Sequence, residues 1–267
     1  MSSRAWAWRK ARALFAHAFA NMTEYRAEIA IWMISGSLPL VMMAMWIGLA
    51  ADGPVGGYAA ADFAAYFLVV FLVRQATAVW VVWELDREIR LGELSPKLLR
   101  PIDPLWGHVV DNLAEKAVRL PLVLLPVVGG MWWAGARVPF TVESLAGFAL
   151  LVAGAWVIRF FQEYATGSLT FWTDQTAGLE RVWFTVSVVL SGALAPLDLF
   201  PATVRSALAF TPFPYLVDAP VQALLGRLTG VELATALAVQ AAWGAAFVIG
   251  ARWLWSRGLR RYGAVGA

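Results

Sequence analysis

Five polar side chains that could do chemistry lie inside apolar runs long enough to cross a membrane. Arg74 and Gln75 are adjacent in one run. Arg159, Gln162 and Glu163 lie within little more than one helical turn of another run. A charged side chain at a bilayer centre costs at least roughly 2.5–3.5 kcal/mol, so the charged members should face protein or water. Arg159 and Glu163 are four residues apart and can pair on one helix face. The set predicts a polar path for a substrate, polar contacts that hold helices together, or side chains that reach out to the membrane interface.

Tryptophan is frequent in this chain, with 15 residues of that type. Most lie near the ends of the apolar runs, where aromatic side chains form belts at the membrane–water interface. Trp156 and Trp183 lie deeper and are candidates for the wall of a cavity. An aromatic and partly anionic cavity would suit a cationic aromatic molecule.

Several kinds of chemistry have no residues to support them. The chain has no cysteine, which excludes a disulfide, a thiolate metal site and a cysteine nucleophile. His17 and His108 are far apart and form no ligand cluster, so no metal site is predicted. A glycine-rich phosphate loop ending in Lys-Ser or Lys-Thr is also missing, so we expect no ATP site and no bound cofactor in this chain. No catalytic residues are predicted.

Six apolar runs predict an all-α polytopic membrane protein with six transmembrane helices. Hydrophobic residues make up 60% of the 267 residues, above the roughly 45–50% of soluble domains. A helix needs about 20 apolar residues to cross a bilayer. The predicted spans are about 29–50, 62–83, 120–136, 144–172, 178–197 and 232–255. This length suits one membrane domain, residues 29–257, without a separate catalytic domain.

Four charged residues precede the third span and are too frequent for the bilayer centre: Asp111, Glu115, Lys116 and Arg119. Residues 104–119 are therefore predicted to be an interfacial lead-in. Residues 196–230 contain five prolines and a short apolar stretch, 202–210, which predicts re-entrant or interfacial helices.

The two ends of the chain flank the membrane domain. Residues 5–28 place apolar and polar side chains on opposite helix faces, which predicts that the N-terminal region, 1–28, is an amphipathic interfacial helix. A packed cytoplasmic helix is the alternative. Residues 258–267 form a C-terminal tail. Lys and Arg concentrate before the first span, between the second and third spans and in the tail, whereas the loop 51–60 has none. This asymmetry predicts that both termini are cytoplasmic.

The most charged stretch, residues 84–104, lies between two spans, and we call it the charged segment. Five of its charged residues suit a short helix with pairs three and four residues apart: Glu84, Asp86, Arg87, Glu88 and Arg90. Gly92 fits the end of that helix, Ser95-Pro96 fits the start of a second, and Pro101 and Pro104 fit its end. The segment is either a docking element for a soluble partner or a solvated loop without one.

The charged segment also carries a family resemblance. The sequence WELDREIRLGELSPKLLRPIDPLW, followed by Asn112–Lys116 and Arg119–Pro121, resembles the permease subunits of type-2 ATP-binding-cassette (ABC) exporters, in a six-span drug- and viologen-exporter branch. Tyr25–Ala27 and the stretch from Tyr66 to Gln75 fit the same pattern. The resemblance covers the whole chain in the number and order of spans.

The resemblance implies partners and a mechanism. It implies a dimer with a second permease, the same chain or a similar one, docked on two cytoplasmic ABC ATPase subunits that hold ATP and Mg²⁺. It also implies an N-terminal interfacial helix, a coupling helix in the charged segment and two short re-entrant helices between the fifth and sixth spans. The expected location is the bacterial cytoplasmic membrane, in contact with lipids. The net charge of +3 requires no nucleic acid.

The expected function is therefore export of an amphipathic, drug-like or lipid-like substrate, with ATP hydrolysed by the partner. The residues that would couple to the ATPase are Glu84, Asp86, Arg87, Glu88 and Arg90. The residues that would line the substrate path are Arg74, Gln75, Trp156, Arg159, Gln162 and Glu163. Two alternatives stay open: an integral membrane enzyme acting on lipids, and a membrane scaffold that transports nothing.

Overall fold

The computed structural model describes residues 36–136 and 138–263, in which all regular structure is helical. The helices are α1 (Leu38–Leu49), α2 (Ala60–Ala76), α3 (Val81–Arg90), α4 (Leu94–Leu98), α5 (Pro104–Trp133), α6 (Val142–Ser168), α7 (Thr176–Leu190), α8 (Ala202–Leu208), α9 (Asp218–Leu224) and α10 (Gly230–Leu259). The predicted all-α class is confirmed for these residues. The predicted N-terminal interfacial helix lies outside them.

Among the described residues, three stretches are long and apolar enough to cross a membrane: Ala60–Arg90, Val142–Phe171 and Gly230–Leu259. They coincide with the predicted second, fourth and sixth spans. Helix α1 is shorter, and the predicted first span begins before the described residues. Helix α7 has 15 residues and reaches about 22 Å at 1.5 Å per residue, less than a hydrocarbon core of about 30 Å. A count of six spans therefore stays a prediction.

The second span is interrupted near its end, which the sequence did not indicate. Helix α2 ends at Ala76, residues 78–80 are not helical, and α3 begins at Val81. The carbonyl oxygen of Ala78 in this break accepts hydrogen bonds from Lys116 and Asn112 on α5. A break in an apolar helix needs such partners, because a bare buried carbonyl is costly.

Helix α5 differs from the predicted lead-in and span. It is one continuous helix of 30 residues that contains Pro121 and Pro126. Pro104 begins this helix, where the prediction made it end the previous one, and Asp103 caps it by accepting a hydrogen bond of 3.0 Å from the Leu105 amide. Proline fits a first helical position because its missing N–H would have no partner there.

The core is built around α2 and the pair α6–α10. Helix α2 is buried on nearly every face and contacts α1, α5 and α9. Helices α6 and α10 pack along their length, and Gln240 donates hydrogen bonds of 2.8 Å to the carbonyls of Leu151 and Tyr215. Gly154 permits this approach, since a β-carbon there would overlap the Gln240 side chain.

Two short helices, α8 and α9, lie between α7 and α10, in the proline-rich region. The predicted helix at 202–210 is observed over Ala202–Leu208. Helix α9 packs against α2 and α6, with Val221 and Ala223 buried. Whether α8 and α9 enter the membrane stays a prediction.

Candidate functional site

A network of buried polar side chains surrounds the break between α2 and α3. The Lys116 ammonium lies 2.6 Å from the Ala78 carbonyl oxygen and 2.5 Å from Asn112 Oδ1. Trp156 on α6, a predicted path residue, donates a hydrogen bond of 2.7 Å from Nε1 to the same Asn112 oxygen. These contacts join α5, α6 and the break, so Trp156 acts here as a polar anchor as well as an aromatic wall.

Gln75, another predicted path residue, lies beside a buried ion pair. Arg119, only 1% exposed, pairs with Glu115 one turn earlier on α5. The Arg119 guanidinium also lies 3.5 Å from Gln75 Oε1. Gln75 is itself buried. The environment of Gln75 is therefore set by charges on α5.

Sequence reasoning assigned this part of α5 to the membrane interface and missed its role. Asn112, Glu115, Lys116 and Arg119 recur at three- and four-residue spacing, so they share one helix face. That periodicity is the signal that could have identified a polar face turned towards protein.

The predicted pair of Arg159 and Glu163 does not form. In the described part of the chain, the ion pairs spaced four residues apart are Arg90–Asp86 and Arg119–Glu115. Instead, the Oε2 atom of Glu163 lies 3.5 Å from the amide nitrogen of Val82, in the first turn of α3. Gln162 donates a hydrogen bond of 2.9 Å to Glu180 on α7. The acidic groups near Arg159 are thus engaged elsewhere.

The remaining predicted path residues, Arg74 and Arg159, lie in the same neighbourhood. The Arg74 guanidinium is 5.7 Å from the centre of the Phe184 ring on α7. Arg159 interacts electrostatically with Arg74, Glu163 and Glu180, and its Nε atom is buried without a hydrogen-bond partner. We call Arg74, Lys116, Arg159, Glu163 and Glu180 the charge cluster. It holds three basic and two acidic side chains, whereas the sequence predicted a partly anionic cavity.

The charged segment forms two short helices, α3 and α4, joined by a turn at Gly92 with φ of 72°. Only glycine adopts this left-handed backbone at little cost, so Gly92 ends α3 as predicted. Helix α4 begins at Leu94, two residues earlier than the predicted start at Pro96.

One side of α3 is fixed to α5 by acidic residues. Glu88 is only 3% exposed and forms an ion pair with Lys97 at 2.5 Å. Its Oε2 atom lies 3.5 Å from His108 Nε2. His108 Nδ1 lies 3.1 Å from Glu84 Oε2. Burial by itself lowers the pKa of His108, but the hydrogen bond that His108 donates to Glu84 and the charges of Glu84 and Glu88 outweigh it and raise this pKa to about 9. His108 is thus a cation that bridges two glutamates at neutral pH.

Another side of α3 is fixed to the loop between α6 and α7. Asp86 Oδ1 accepts hydrogen bonds of 2.8 Å from the hydroxyls of Thr170 and Thr176. The Arg90 guanidinium forms ion pairs with Asp86 and with Asp174, both at 2.9 Å. Asp86 and Glu88 therefore face the protein, although both were predicted to contact a partner.

The exposed face of the charged segment combines charge and apolar surface. The Arg87 side chain is 62% exposed and lies 3.4 Å from Glu93. Leu91 and Leu99 are 66% and 88% exposed. The sequence prediction for this segment covered its charged residues and did not include these leucines.

A second polar cluster lies at the opposite end of α2 and was not predicted. The Tyr66 hydroxyl lies 2.8 Å from both Asp218 Oδ1 and the Gly192 carbonyl oxygen. Tyr58 donates a hydrogen bond of 2.8 Å to Asp198. Burial raises the pKa of Tyr58 to about 12, so its hydroxyl stays a donor. These contacts tie the α7–α8 connection and α9 to α2.

The comparisons with known proteins give one match. A sequence model of the family described as ABC-2 family transporter protein matches residues 37–266. No significant match is found among curated proteins or among solved structures. Within residues 36–136 and 138–263, no group of three or more His, Asp or Glu side chains is arranged to hold a metal ion.

Proposed function

We propose, since the chain belongs to the ABC-2 family of transporters, that it is the permease subunit of an ABC exporter. A separate pair of ATPase subunits supplies the energy, and a second permease completes the membrane domain. The substrate is amphipathic, either drug-like or lipid-like. The residues of this chain bind substrate and transmit motion, and ATP with its Mg²⁺ belongs to the partner.

The two-sided character of α3 is the observation that carries this proposal. Its inner side is bound to α5 through His108 and to the α6–α7 loop through Asp86. Its outer side, with Arg87, Leu91 and nearby Leu99, has exposed charge and exposed apolar surface. A helix with one bonded side and one accessible side suits an element that receives a force from a soluble partner and passes it on.

Apolar packing supports transmission into the membrane helices. Leu85 and Ile89 of α3 form one buried cluster with Tyr164 of α6 and Trp255 of α10. The interior is packed densely, so α3 cannot shift without moving α6 and α10. The break at residues 78–80 lets α3 rotate relative to α2, because no helical hydrogen bonds cross those residues.

Motion of α3 would reach the charge cluster directly. The Val82 amide in the first turn of α3 faces Glu163, and Lys116 binds the Ala78 carbonyl just before that turn. We propose that displacement of α3 rearranges these contacts and thereby changes the affinity of the cluster for substrate. This is the step at which ATP hydrolysis outside the membrane alters a site inside it.

Exposed apolar surfaces on α1 and α7 fit the expected dimer. Val41, Met45 and Leu49 are exposed on α1, and Val182 and Val189 are exposed on α7. In a membrane such surfaces are covered by lipid tails or by another helix. We propose that the second permease covers part of them.

Purification of the tagged chain from its native membrane in mild detergent tests the proposal. We expect a protein with a glycine-rich phosphate loop to co-purify in equal amount and to hydrolyse ATP, and we expect substitution of its loop lysine to abolish that hydrolysis. A chain that converts a lipid substrate by itself would indicate a membrane enzyme, and a chain that purifies stably without an ATPase would indicate a scaffold. Either result would overturn the proposal.

A further inference from the structure

Arg74 on α2 and Arg159 on α6 place two guanidinium groups close enough to repel each other inside the apolar part of the molecule. Neither forms an ion pair with another described residue, whereas nearby Arg119 is paired with Glu115. The Arg159 Nε atom is buried and has no hydrogen-bond partner. Two like charges without a bound counter-ion are costly in such a place.

The neighbouring acids attract Arg159, but neither forms an ion pair with Arg74 or Arg159. Glu163 faces the Val82 amide, and Glu180 accepts a hydrogen bond from Gln162. Lys116, the third cation, is already bound by the Ala78 carbonyl and Asn112. The uncommitted hydrogen-bond donors of the charge cluster are therefore those of Arg74 and Arg159.

We infer that Arg74 and Arg159 bind the acidic group of an amphipathic substrate, a carboxylate, phosphate or sulfate attached to an apolar body. The planar guanidinium fork matches the oxygen spacing of such groups and can bind two oxygens at once. Phe184, half-exposed beside Arg74, supplies an aromatic surface for the apolar body. This inference deepens the proposed function and rests on it, and it replaces the cationic aromatic substrate that the sequence predicted.

The test is a binding measurement on the purified chain, with any subunit that co-purifies, in phosphatidylcholine nanodiscs. The probe is 11-(dansylamino)undecanoic acid, and the comparison is its methyl ester, which has the same apolar body without the charge. We expect the acid to bind more tightly than the ester. Replacement of both arginines, R74Q/R159Q, should weaken binding of the acid about tenfold or more and leave the ester unchanged, because charge-assisted hydrogen bonds are lost.

Two further variants separate recognition from misfolding. Arg181 is exposed on α7 and lies outside the cluster, so R181Q should bind the acid like the unmodified chain. Arg159→Lys keeps the charge but loses the fork and should bind the acid with intermediate affinity. Each variant should elute from size exclusion at the volume of the unmodified chain.

Three results would overturn the inference: equal affinity of the unmodified chain for acid and ester, unchanged acid binding in R74Q/R159Q, or equal loss in R181Q. Displacement of the acid by inorganic phosphate at similar concentrations would show that the site takes a free anion and not an amphiphile. None of these results alters co-purification of the ATPase, so failure here is distinguishable from failure of the proposed function.

Discussion

The ammonium of Lys116 on α5 donates a hydrogen bond of 2.6 Å to the carbonyl oxygen of Ala78, in the break between α2 and α3. One side chain thereby covers the backbone at the point where an apolar helix stops and the charged segment begins. The same ammonium binds Asn112, which also accepts from Trp156. This junction connects the proposed force-receiving helix to the proposed substrate site.

Loss of the Lys116 side chain should loosen the break. In Lys116→Met the Ala78 carbonyl keeps only the weaker Asn112 contact at 3.3 Å, and a lost hydrogen bond is worth about 1 kcal/mol, or about fivefold in an opening equilibrium. We expect amides 77–82 to exchange with deuterium at least about fivefold faster, measured by mass spectrometry in nanodiscs. Arg181→Met, an exposed change, should leave them unaltered. Unchanged exchange in Lys116→Met would show that Lys116 does not hold the break.

The His108 bridge should make stability depend on pH. The pKa of His108 rises from about 6.5 in the unfolded chain to about 9 in the folded chain, so its contribution is complete below pH 6.5 and is lost as the pH rises through 9. The groups facing His108 are Glu84 and Glu88 on α3, with Lys97 behind Glu88 and the Tyr164 ring at 6.3 Å. We expect the melting temperature to fall by more than about 2 °C between pH 6.5 and 9.5.

His108→Gln supplies the control for this pH dependence, because glutamine keeps hydrogen-bonding capacity without titrating. The variant should melt at nearly the same temperature at both values of pH. A fall as large as that of the unmodified chain would assign the pH dependence to other groups.

Asp86 should matter for coupling more than for docking. It is bonded to Thr170, Thr176 and Arg90, so Asp86→Ala removes both threonine hydrogen bonds between α3 and the α6–α7 connection and leaves the exposed face intact. We expect the ATPase to co-purify normally, while stimulation of its ATP hydrolysis by substrate is lost. Glu93→Ala, on the exposed side of the same segment, should keep the stimulation. Loss of the ATPase from the Asp86→Ala complex would instead make Asp86 a docking residue.

The exposed leucines should matter for docking. Leu91 and Leu99 make exposed apolar surface next to Arg87, the composition expected of the centre of a protein interface. Leu91→Ser/Leu99→Ser should release the ATPase during purification while the melting temperature of the chain changes by less than about 2 °C. Retention of the ATPase in this variant would place its docking surface elsewhere.

The sequence predicted the helices whose signals are local. Apolar length identified α2, α6 and α10, and Gly92 correctly marked the end of α3, because its backbone conformation favours glycine. The break at residues 78–80 has no such mark, since neither glycine nor proline occurs in it. Its partner, Lys116, lies 38 positions away along the chain, and only tertiary structure brings the two together.

Charged residues were the least predictable part of the site. Glu88 was predicted to couple to the ATPase and Arg119 to lie in an interfacial lead-in, yet both are buried, because each has an ionic partner that neutralises it. Arg159 and Glu163 have the spacing of an ion pair but do not form one. In both cases the outcome depends on which neighbouring helix supplies the partner, and a single sequence does not carry that information.

Site-specific cross-linking tests the central claim, contact between the charged segment and an ATPase, most directly. The chain has no cysteine, so a single thiol can be introduced by substitution. Suitable positions are Leu99, 88% exposed on the charged segment, and Val231, 82% exposed in the first turn of α10. With a short thiol-reactive photocross-linker in native membranes, L99C should yield an adduct that contains an ATPase, and V231C should not. No ATPase adduct from L99C, or equal adducts from both variants, would contradict the account.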